Sequence, residues 1–134
     1  MPTIQEIRER FRRDRFATDA AGITIKEAQP QHAICEMPLS EKHRNARGTP
    51  MGGAIFTLAD FTAAIAANGF SEHTDTISLH ADITFLGTAK GEKLIAEAKC
   101  VKQGRTTSLY TVEVTDELGT LVAQAGVNGF VLPK

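Results

Sequence analysis

The chain has 134 residues, a mass of 14.5 kDa and a formal net charge of −1, with 42% hydrophobic and 23% charged residues. These values fit one globular domain over residues 1–134 and exclude a disordered chain. The near-neutral charge gives no basic field for nucleic acid, and no apolar run reaches the roughly 18 residues that span a bilayer. Since the N-terminus lacks a secretory signal pattern, we expect a cytoplasmic protein without nucleic-acid or membrane partners.

The N-terminal segment predicts an amphipathic helix over residues 3–15. Thr3 and Glu6 have the spacing of a capping box, and Ile7 and Phe11 continue the apolar positions at helical spacing. The opposite face carries five arginines: Arg8, Arg10, Arg12, Arg13 and Arg15. They form either a solvated face or a contact for an anion or a partner.

The rest of the chain predicts six strands and one long helix. The strands cover residues 23–28, 33–37, 77–85, 94–101, 108–114 and 121–131. A polar loop over 40–51 leads into the helix 53–68, and Gly69 follows it as a stop signal. Strands joined by short turns are antiparallel neighbours, and one long apolar helix covers only one face of such a sheet. The fold class is therefore α+β, with an antiparallel sheet wrapped around the central helix.

In the strand 77–85, apolar and polar residues alternate. This predicts that Ser78 and His80 share one face while Ile77 and Leu79 share the other. His80 either lines a site beside Ser78 or lies on the surface. The spacing of the histidines matches no metal-ligand set, so we predict no metal site.

The two cysteines, Cys35 and Cys100, both lie in predicted strands. No C-x-x-C motif accompanies either of them. A disulfide and a pair of buried free thiols are both open, and a reducing cytoplasm favours the thiols.

The helix 53–68 is apolar in every direction around its axis, which is typical of a buried helix. Three polar residues interrupt it before Asn68, namely Thr57, Asp60 and Thr62. The threonine hydroxyls can bond back to helix carbonyls, whereas an ionised carboxylate in apolar surroundings needs a partner, a proton or water. Asp60 either pairs with a core hydroxyl or an arginine, or it is a functional carboxylate facing a cleft. We favour the second, because no neighbouring turn offers a cation.

Gly52 and Gly53 begin this helix. Their backbone N–H groups have no Cβ to block an approaching group, and the helix dipole favours a negative oxygen at this end. These are the requirements of an oxyanion hole, which stabilises the charged oxygen formed in acyl transfer. The alternative is that two glycines only allow the turn to pack against the sheet.

A combination of motifs carries a resemblance to a known family. The chain reads H-x-N-x-x-G-x-x-x-G-G over 43–53, Leu-Ala-Asp over 58–60, Ile-Ser-Leu over 77–79, Gly-Arg over 104–105 and Val-Thr-Asp-Glu-x-Gly over 114–119. In this combination it resembles the PaaI-like (phenylacetyl-CoA thioesterase-like) family of hot-dog-fold thioesterases. The resemblance implies a hot-dog fold and hydrolysis of an aryl- or fatty acyl-coenzyme A, with no cofactor beyond the coenzyme A of the substrate.

The resemblance also implies roles for individual residues. Asp60 matches the helix carboxylate that acts as general base on water or as nucleophile on the thioester carbon. Gly52 matches the residue whose backbone N–H polarises the thioester carbonyl. Asn45 matches a side chain that holds this oxygen or orients water. Ser78 matches a hydroxyl that positions the attacking water in some members.

The start of the helix departs from the family pattern. The family usually has His-Gly-Gly where this chain has Met51, Gly52 and Gly53. The missing histidine is a supporting group, so hydrolysis does not require it, and Met51 beside Gly53 would give an apolar wall against the substrate. The resemblance further implies that Arg105, and with it Arg47, meets the phosphates of coenzyme A. Each of these arginines could equally be an exposed cation.

The separation of Gly52 and Asp60 predicts a site shared between two chains. Eight residues of helix place them roughly 12 Å apart, whereas an oxyanion donor and a catalytic carboxylate must both lie within about 3 Å of the reacting atoms. We therefore expect at least a homodimer, with a homotetramer as the assembled form. Asn45 and Gly52 of one subunit would face Asp60 and Ser78 of the other.

Two other functions remain open. One is a hydratase or dehydratase on the same fold, which needs a histidine paired with an acid near the helix. The other is a non-catalytic acyl-CoA-binding module, which the substitution of Met51 for the family histidine makes conceivable.

Overall fold

The computed structural model describes all 134 residues. Its regular elements are α1 (Ile4–Phe11), β1 (Thr24–Gln29), β2 (His32–Pro38), α2 (Gly52–Asn68), β3 (Thr74–Phe85), β4 (Lys93–Gln103), β5 (Thr107–Asp116) and β6 (Leu121–Pro133). The six strands form one antiparallel sheet in the order β1-β2-β4-β5-β6-β3. The helix α2 packs across one face of this sheet. The predicted α+β class and the sheet around a central helix are confirmed.

None of the helices has the length and apolar character that crossing a membrane requires.

The helix α1 begins as predicted and ends one turn early. Thr3 and Glu6 form the capping box, with the Glu6 N–H donating to Thr3 Oγ1 at 3.2 Å. The predicted continuation to residue 15 is wrong, because the helix ends at Phe11 and a π-helical turn follows over Phe16–Ala20. The Thr18 hydroxyl donates to the carbonyl oxygens of Arg12 and Asp14, at 3.2 and 3.0 Å. Such bonds offer the backbone an alternative to a continuing helix.

Two arginines of α1 bind backbone carbonyl groups. Arg8 Nε donates to the Ile25 carbonyl at 2.9 Å. Arg10 Nη2 donates to the carbonyls of Asn68 and Gly69, at 2.7 and 3.2 Å. A cation at the C-terminal end of α2 also opposes the negative end of the helix dipole. Part of the arginine face therefore joins α1 to β1 and α2.

Small side chains let the sheet approach α2 closely. Ala59, Ala63 and Ala66 are buried on the helix, and alanines lie on the facing strands as well. The larger core side chains between them include Leu58 and Ile65. The hydroxyls of Thr57 and Thr62 donate to helix carbonyls four residues earlier, as predicted. Close packing of this kind makes the position of α2 on the sheet well defined.

The cysteines are free thiols. Cys35 is fully buried, and burial raises the pKa of its thiol to about 12. Cys100 is half-buried and lies opposite Tyr110 on β5. The favoured prediction of two thiols is thus confirmed.

A β-bulge at Leu79 interrupts β3. Ser78 pairs with Gly129 and the next paired residue, His80, lies opposite Asn128, which leaves Leu79 without a partner on β6. A bulge of this kind inserts one residue and changes which face the following residues occupy. The alternation in 77–85 is therefore broken near its start.

The bulge corrects the predicted faces of β3. Residues paired across antiparallel strands share a face, and Val127, two positions from Gly129, lies in the core against α2. Ser78, opposite Gly129, is therefore on the face that carries α2, whereas His80 is on the other face. The prediction that Ser78 and His80 share a face is wrong, because simple alternation does not include the inserted residue.

Asp116 joins the loop between β3 and β4 to the turn between β5 and β6. Its carboxylate accepts hydrogen bonds from the backbone N–H groups of Lys90, Gly91, Leu118 and Thr120, at 2.7 to 3.0 Å. Burial by itself raises the pKa of Asp116, but the backbone donors outweigh it and lower the pKa to about 2. The ionised carboxylate therefore stabilises the fold.

The Asp116→Asn variant should have a lower melting temperature than wild type at neutral pH, because an amide cannot accept four N–H bonds as a carboxylate does. The folded-state pKa of about 2 lies below the unfolded value of about 3.9. The stabilisation is therefore complete above the unfolded value and is lost as the pH falls toward the folded one. Thermal unfolding followed by circular dichroism should show a difference in melting temperature that closes in acid.

The control is Glu113→Gln, which neutralises an exposed carboxylate on the same strand. It should follow the wild type throughout. A difference for Asp116→Asn that stays constant down to about pH 2 would contradict the assignment.

Candidate active site

The start of α2 presents two free backbone donors. The N–H groups of Ala54 and Ile55 bond to the Met51 carbonyl at 3.0 and 3.1 Å, whereas those of Gly52 and Gly53 have no acceptor in the chain. The Gly53 carbonyl accepts from the Thr57 hydroxyl at 2.8 Å. Free N–H groups at the positive end of a helix dipole suit a negative oxygen.

Gly52 also lies under an aromatic ring of the edge strand. A Cβ atom on Gly52 would be 3.1 Å from Cζ of Phe85, and this contact leaves little room for a side chain. Phe85 itself is about half exposed, at 52%. The start of α2 is therefore held beside the end of β3.

The loop before α2 is ordered by Asn45. Its Oδ1 atom accepts from the backbone N–H groups of Arg47 and Thr49, at 3.0 and 3.1 Å, and from the Thr49 hydroxyl at 3.1 Å. The Asn45 N–H donates to the Thr49 carbonyl at 2.8 Å. Because Oδ1 is occupied, the exposed side-chain amide offers its Nδ2 donors to a ligand.

His43 anchors this loop to the N-terminal segment. Its Nδ1 atom accepts from the Ser40 N–H at 3.1 Å, so Nε2 carries the proton and donates to the Ala21 carbonyl at 2.7 Å. The His43 carbonyl in turn accepts from the Met51 N–H at 2.8 Å. The buried imidazole thus fixes the position at which α2 begins, a role that the sequence pattern did not assign.

Asp60 lies on the open side of α2. The all-round apolar pattern predicted burial, and this is wrong for the single chain: the sheet covers one side of the helix and Asp60 is on the other. Its carboxylate makes no hydrogen bond or ion pair and borders a groove of about 460 Å³ with Phe56 and Ala64 on α2 and Phe16 on the π-helical turn. The alternative that it pairs with a core hydroxyl or an arginine is therefore not realised.

The surroundings of Asp60 raise its pKa. Partial burial against the apolar groove is the main cause, and the negative charge of Asp14 on the facing segment adds to it. Arg15 lines the same groove, but its Nε is paired with Asp19 at 2.6 Å. The carboxylate thus has the properties of a base that holds its proton more readily than an ordinary aspartate.

The other predicted site residues fall into two groups along α2. Asn45 and Gly52 lie at its N-terminal end. Thr76 on β3 exchanges hydrogen bonds with Asn68 at the C-terminal end, so β3 runs antiparallel to α2. Ser78 lies two residues after Thr76 on β3. It is therefore beside the C-terminal half of α2, between Asp60 and Asn68. One chain does not bring all four residues together.

The predicted substrate-binding residues are also spread over the chain. Met51 is 49% exposed and, with Gly53, borders an apolar cavity of about 490 Å³. Arg47 is exposed in the loop before α2, and Arg105 is exposed in the turn between β4 and β5. This turn is at the end of the sheet away from the start of α2. Thr107 and Ile77 both pair with Phe130 there, whereas the other end of β3, at Phe85, contacts Gly52. No group of three or more His, Cys, Asp or Glu side chains is placed to hold a metal ion.

Two residues near Asp60 received no role from the sequence. Asp14 falls within the helix predicted over 3–15, and Phe16 follows that helix directly. No motif marks either position, since single exposed apolar residues are common on protein surfaces.

Comparisons with known proteins identify the family to which the chain belongs. The Thioesterase superfamily model matches residues 48–123. Acyl-coenzyme A thioesterase 13 from Mus musculus is 35% identical over 104 residues, which are 76% of this chain and 74% of that protein. Acyl-coenzyme A thioesterase PaaI from Escherichia coli K12 is 30% identical over 105 residues, 78% of this chain and 74% of that one. The structure of smu.793 from Streptococcus mutans UA159, bound to acetyl CoA, has a TM-score of 0.76 and 31% identity, covering 84% of this chain and 90% of that one.

The matched segment contains Gly52, Asp60 and Ser78, whereas Asn45 precedes it. The resemblance carried by the motifs is confirmed, and so is the hot-dog fold. The chain belongs to the thioesterase superfamily, in its PaaI-like hot-dog branch.

Proposed function

We propose that the chain hydrolyses the thioester bond of an acyl-coenzyme A, with Asp60 as the catalytic carboxylate. The observation that carries the proposal is an unpaired carboxylate at the edge of an apolar groove, on the helix whose first N–H groups are free. The relatives named acyl-coenzyme A thioesterase and the acetyl CoA bound to smu.793 support this class of substrate. The acyl group is aryl or fatty.

The reaction needs a base or nucleophile and an oxyanion donor. Ionised Asp60 either removes a proton from water as the water attacks the thioester carbon, or attacks that carbon itself. The carbonyl oxygen becomes negative and accepts a hydrogen bond from the Gly52 N–H. The side-chain amide of Asn45 donates a second hydrogen bond to it. When the C–S bond breaks, the coenzyme A thiolate leaves and is protonated. If water was the attacking group, the acid is released directly; if Asp60 attacked, a water molecule then hydrolyses the mixed anhydride on Asp60 and releases the acid. Ser78 positions the water.

We further propose that the site is formed between two copies of the chain. Within one chain, Gly52 and Asp60 are separated by about 12 Å of helix. The strand β3 is an edge of the sheet, and Ile77 and Leu79 on it are 47% and 62% exposed. A long apolar edge strand is a surface that pairs with another chain. A two-fold axis beside β3 would bring the N-terminal end of one α2 toward Asp60 and Ser78 of the other, and pairs of such dimers would form the homotetramer.

The same arrangement accounts for the two exposed arginines. Arg47 and Arg105 lie at opposite ends of one chain, so a two-fold axis would bring Arg105 of one copy toward Arg47 of the other. Their guanidinium groups would then bind the phosphates of coenzyme A, for which arginine geometry is suited.

The Gly52→Pro variant should lower kcat by about a hundredfold, which is the usual effect of removing one oxyanion donor. Proline is tolerated at the first position of a helix, and Met51 already has extended backbone angles, φ −70° and ψ 137°, that a following proline requires. The matched control is Gly52→Ala, which adds a Cβ beside Phe85 but keeps the N–H. Steady-state kinetics with released thiol as readout should show a much smaller loss for alanine. Equal losses would exclude Gly52 as a donor.

A mixing experiment should reveal whether the site is shared. The Asp60→Asn variant should lose about a hundredfold or more in kcat, and Gly52→Pro should also be impaired. When both are co-expressed, half of randomly formed dimers contain one intact site, so about a quarter of wild-type activity should return.

The matched control for mixing is co-expression of Asp60→Asn with Asp60→Ala, which leaves no intact site in any dimer. Activity in the first mixture that is no higher than in this control would show that each site is built within one chain.

The Asp14→Asn variant should remain active at lower pH than the wild type. The wild-type pKa of Asp60 is raised by burial and by Asp14, so the ionised base is lost at a higher pH than for an ordinary aspartate. Removing the charge of Asp14 lowers the pKa of Asp60, and the acid limb of the kcat/KM profile should move down. The control is Glu9→Gln on α1, whose carboxylate does not border the groove. A profile that does not move, or that moves up, would contradict this environment for Asp60.

A further inference from the structure

Two adjoining cavities, together called the channel, lie along α2 between Asp60 and Met51. The cavity beside Asp60 has a volume of about 460 Å³, and the cavity beside Met51 has a volume of about 490 Å³. Phe16 and Thr57 line both of them, so the two cavities adjoin at these side chains, and a ligand that occupies both has to pass between Phe16 and Thr57. The nine residue-to-residue steps from Met51 to Asp60 give the channel a length of about 13 Å.

The lining of this channel suits a hydrocarbon chain. Its floor on α2 includes Ala54 and Phe56, and its far end is bordered by Met51 and Ala20. The part beside Met51 has mainly apolar walls, with Lys42 at its border. A straight aliphatic chain gains from apolar area at each added methylene, and Met adapts its shape to such a chain.

The outer wall of the channel is the π-helical turn Phe16–Ala20. Phe16 is 72% exposed, although the turn itself is held firmly, since Ala17 and Ala21 are buried in the core. The Ala21 N–H donates to the Phe16 carbonyl at 2.9 Å, and His43 binds the Ala21 carbonyl. The aromatic ring is therefore fixed at the backbone, above the groove, where it makes few contacts of its own.

We propose that the π-helical turn and its Phe16 side chain determine which acyl-chain lengths this enzyme accepts. The inference rests on the proposed function: an acyl chain whose thioester is at Asp60 would extend toward Met51 between α2 and Phe16. Ala20 lies at the far end of this path and sets its limit. Phe16 is a specificity-determining residue and takes no part in the chemical step.

The test measures binding of S-alkyl-coenzyme A thioethers, which cannot be hydrolysed, by titration calorimetry over a series of alkyl lengths. For the wild type, affinity should rise with alkyl length. For Phe16→Ala, the ratio of long-chain to short-chain affinity should fall about tenfold, the loss expected when one aromatic contact is removed. For Ala20→Trp, the gain in affinity should stop at a shorter chain, because the indole fills the far end.

The control is Val101→Ala on β4, which removes an apolar side chain that is 58% exposed and lines neither cavity. Its affinities should follow the wild type at every length. Length dependence that is unchanged in both Phe16→Ala and Ala20→Trp would overturn the inference.

The kcat/KM values for the matching acyl-CoA series separate this inference from the proposed function. If thioethers bind with a length dependence that Phe16→Ala changes, but no thioester is hydrolysed, the proposed hydrolase activity is wrong and the proposed role of the channel is supported. If the wild type hydrolyses thioesters but the variants keep its dependence on chain length, the hydrolase activity is supported and the proposed role of the channel is wrong.

Discussion

The helix α2 contributes to the core and carries the proposed site, and it does both by burying only one side. Its sheet-facing side carries small and branched apolar residues, such as Ala59 and Leu58, that fit closely against the strands. The other side remains open and carries Asp60 and the groove beneath Phe16. Because the buried side fixes the helix rotation, the direction of the Asp60 carboxylate is determined by packing that lies on the opposite side of the helix.

Two aspartates show how the surroundings divide the roles of one side chain. Asp116 accepts four backbone N–H bonds, and its pKa is lowered to about 2 although it is buried. Asp60 has no such donor, stands beside the negative Asp14 and has a raised pKa. Backbone donors hold the Asp116 carboxylate ionised and favour a structural role, whereas apolar contact and a like charge raise the pKa of the Asp60 carboxyl group and favour its protonated form.

The sequence predicted most of the fold, because apolar residues recur with the period of the face that each helix or strand buries. It placed α2 and all six strands to within a few residues, and the family motif placed Gly52 and Asp60 on one helix. The prediction of side-chain faces failed on β3, where one inserted residue shifts the pairing with β6. The bulge at Leu79 has no distinctive composition, so alternation put Ser78 on the wrong face.

Tertiary contacts explain the other differences. The apolar pattern of α2 does not say which side the sheet covers, so the exposure of Asp60 could not be predicted from it. The position of Phe16 depends on where α1 ends, and the hydroxyl bonds made by Thr18 favour that end. In the sequence, Asp116 was only part of the family motif over 114–119, and its binding role could not be predicted because its four donors come from two separate loops.

The proposed site on α2 would link catalysis to association. The helix dipole favours an oxyanion only at the first turn of α2, whereas the carboxylate of Asp60 lies eight residues further along the helix. The two requirements therefore cannot be met at one point of a single α2. If two antiparallel copies are placed side by side, each supplies what the other lacks. The apolar edge of β3 and the free N–H groups of Gly52 and Gly53 then have one common explanation.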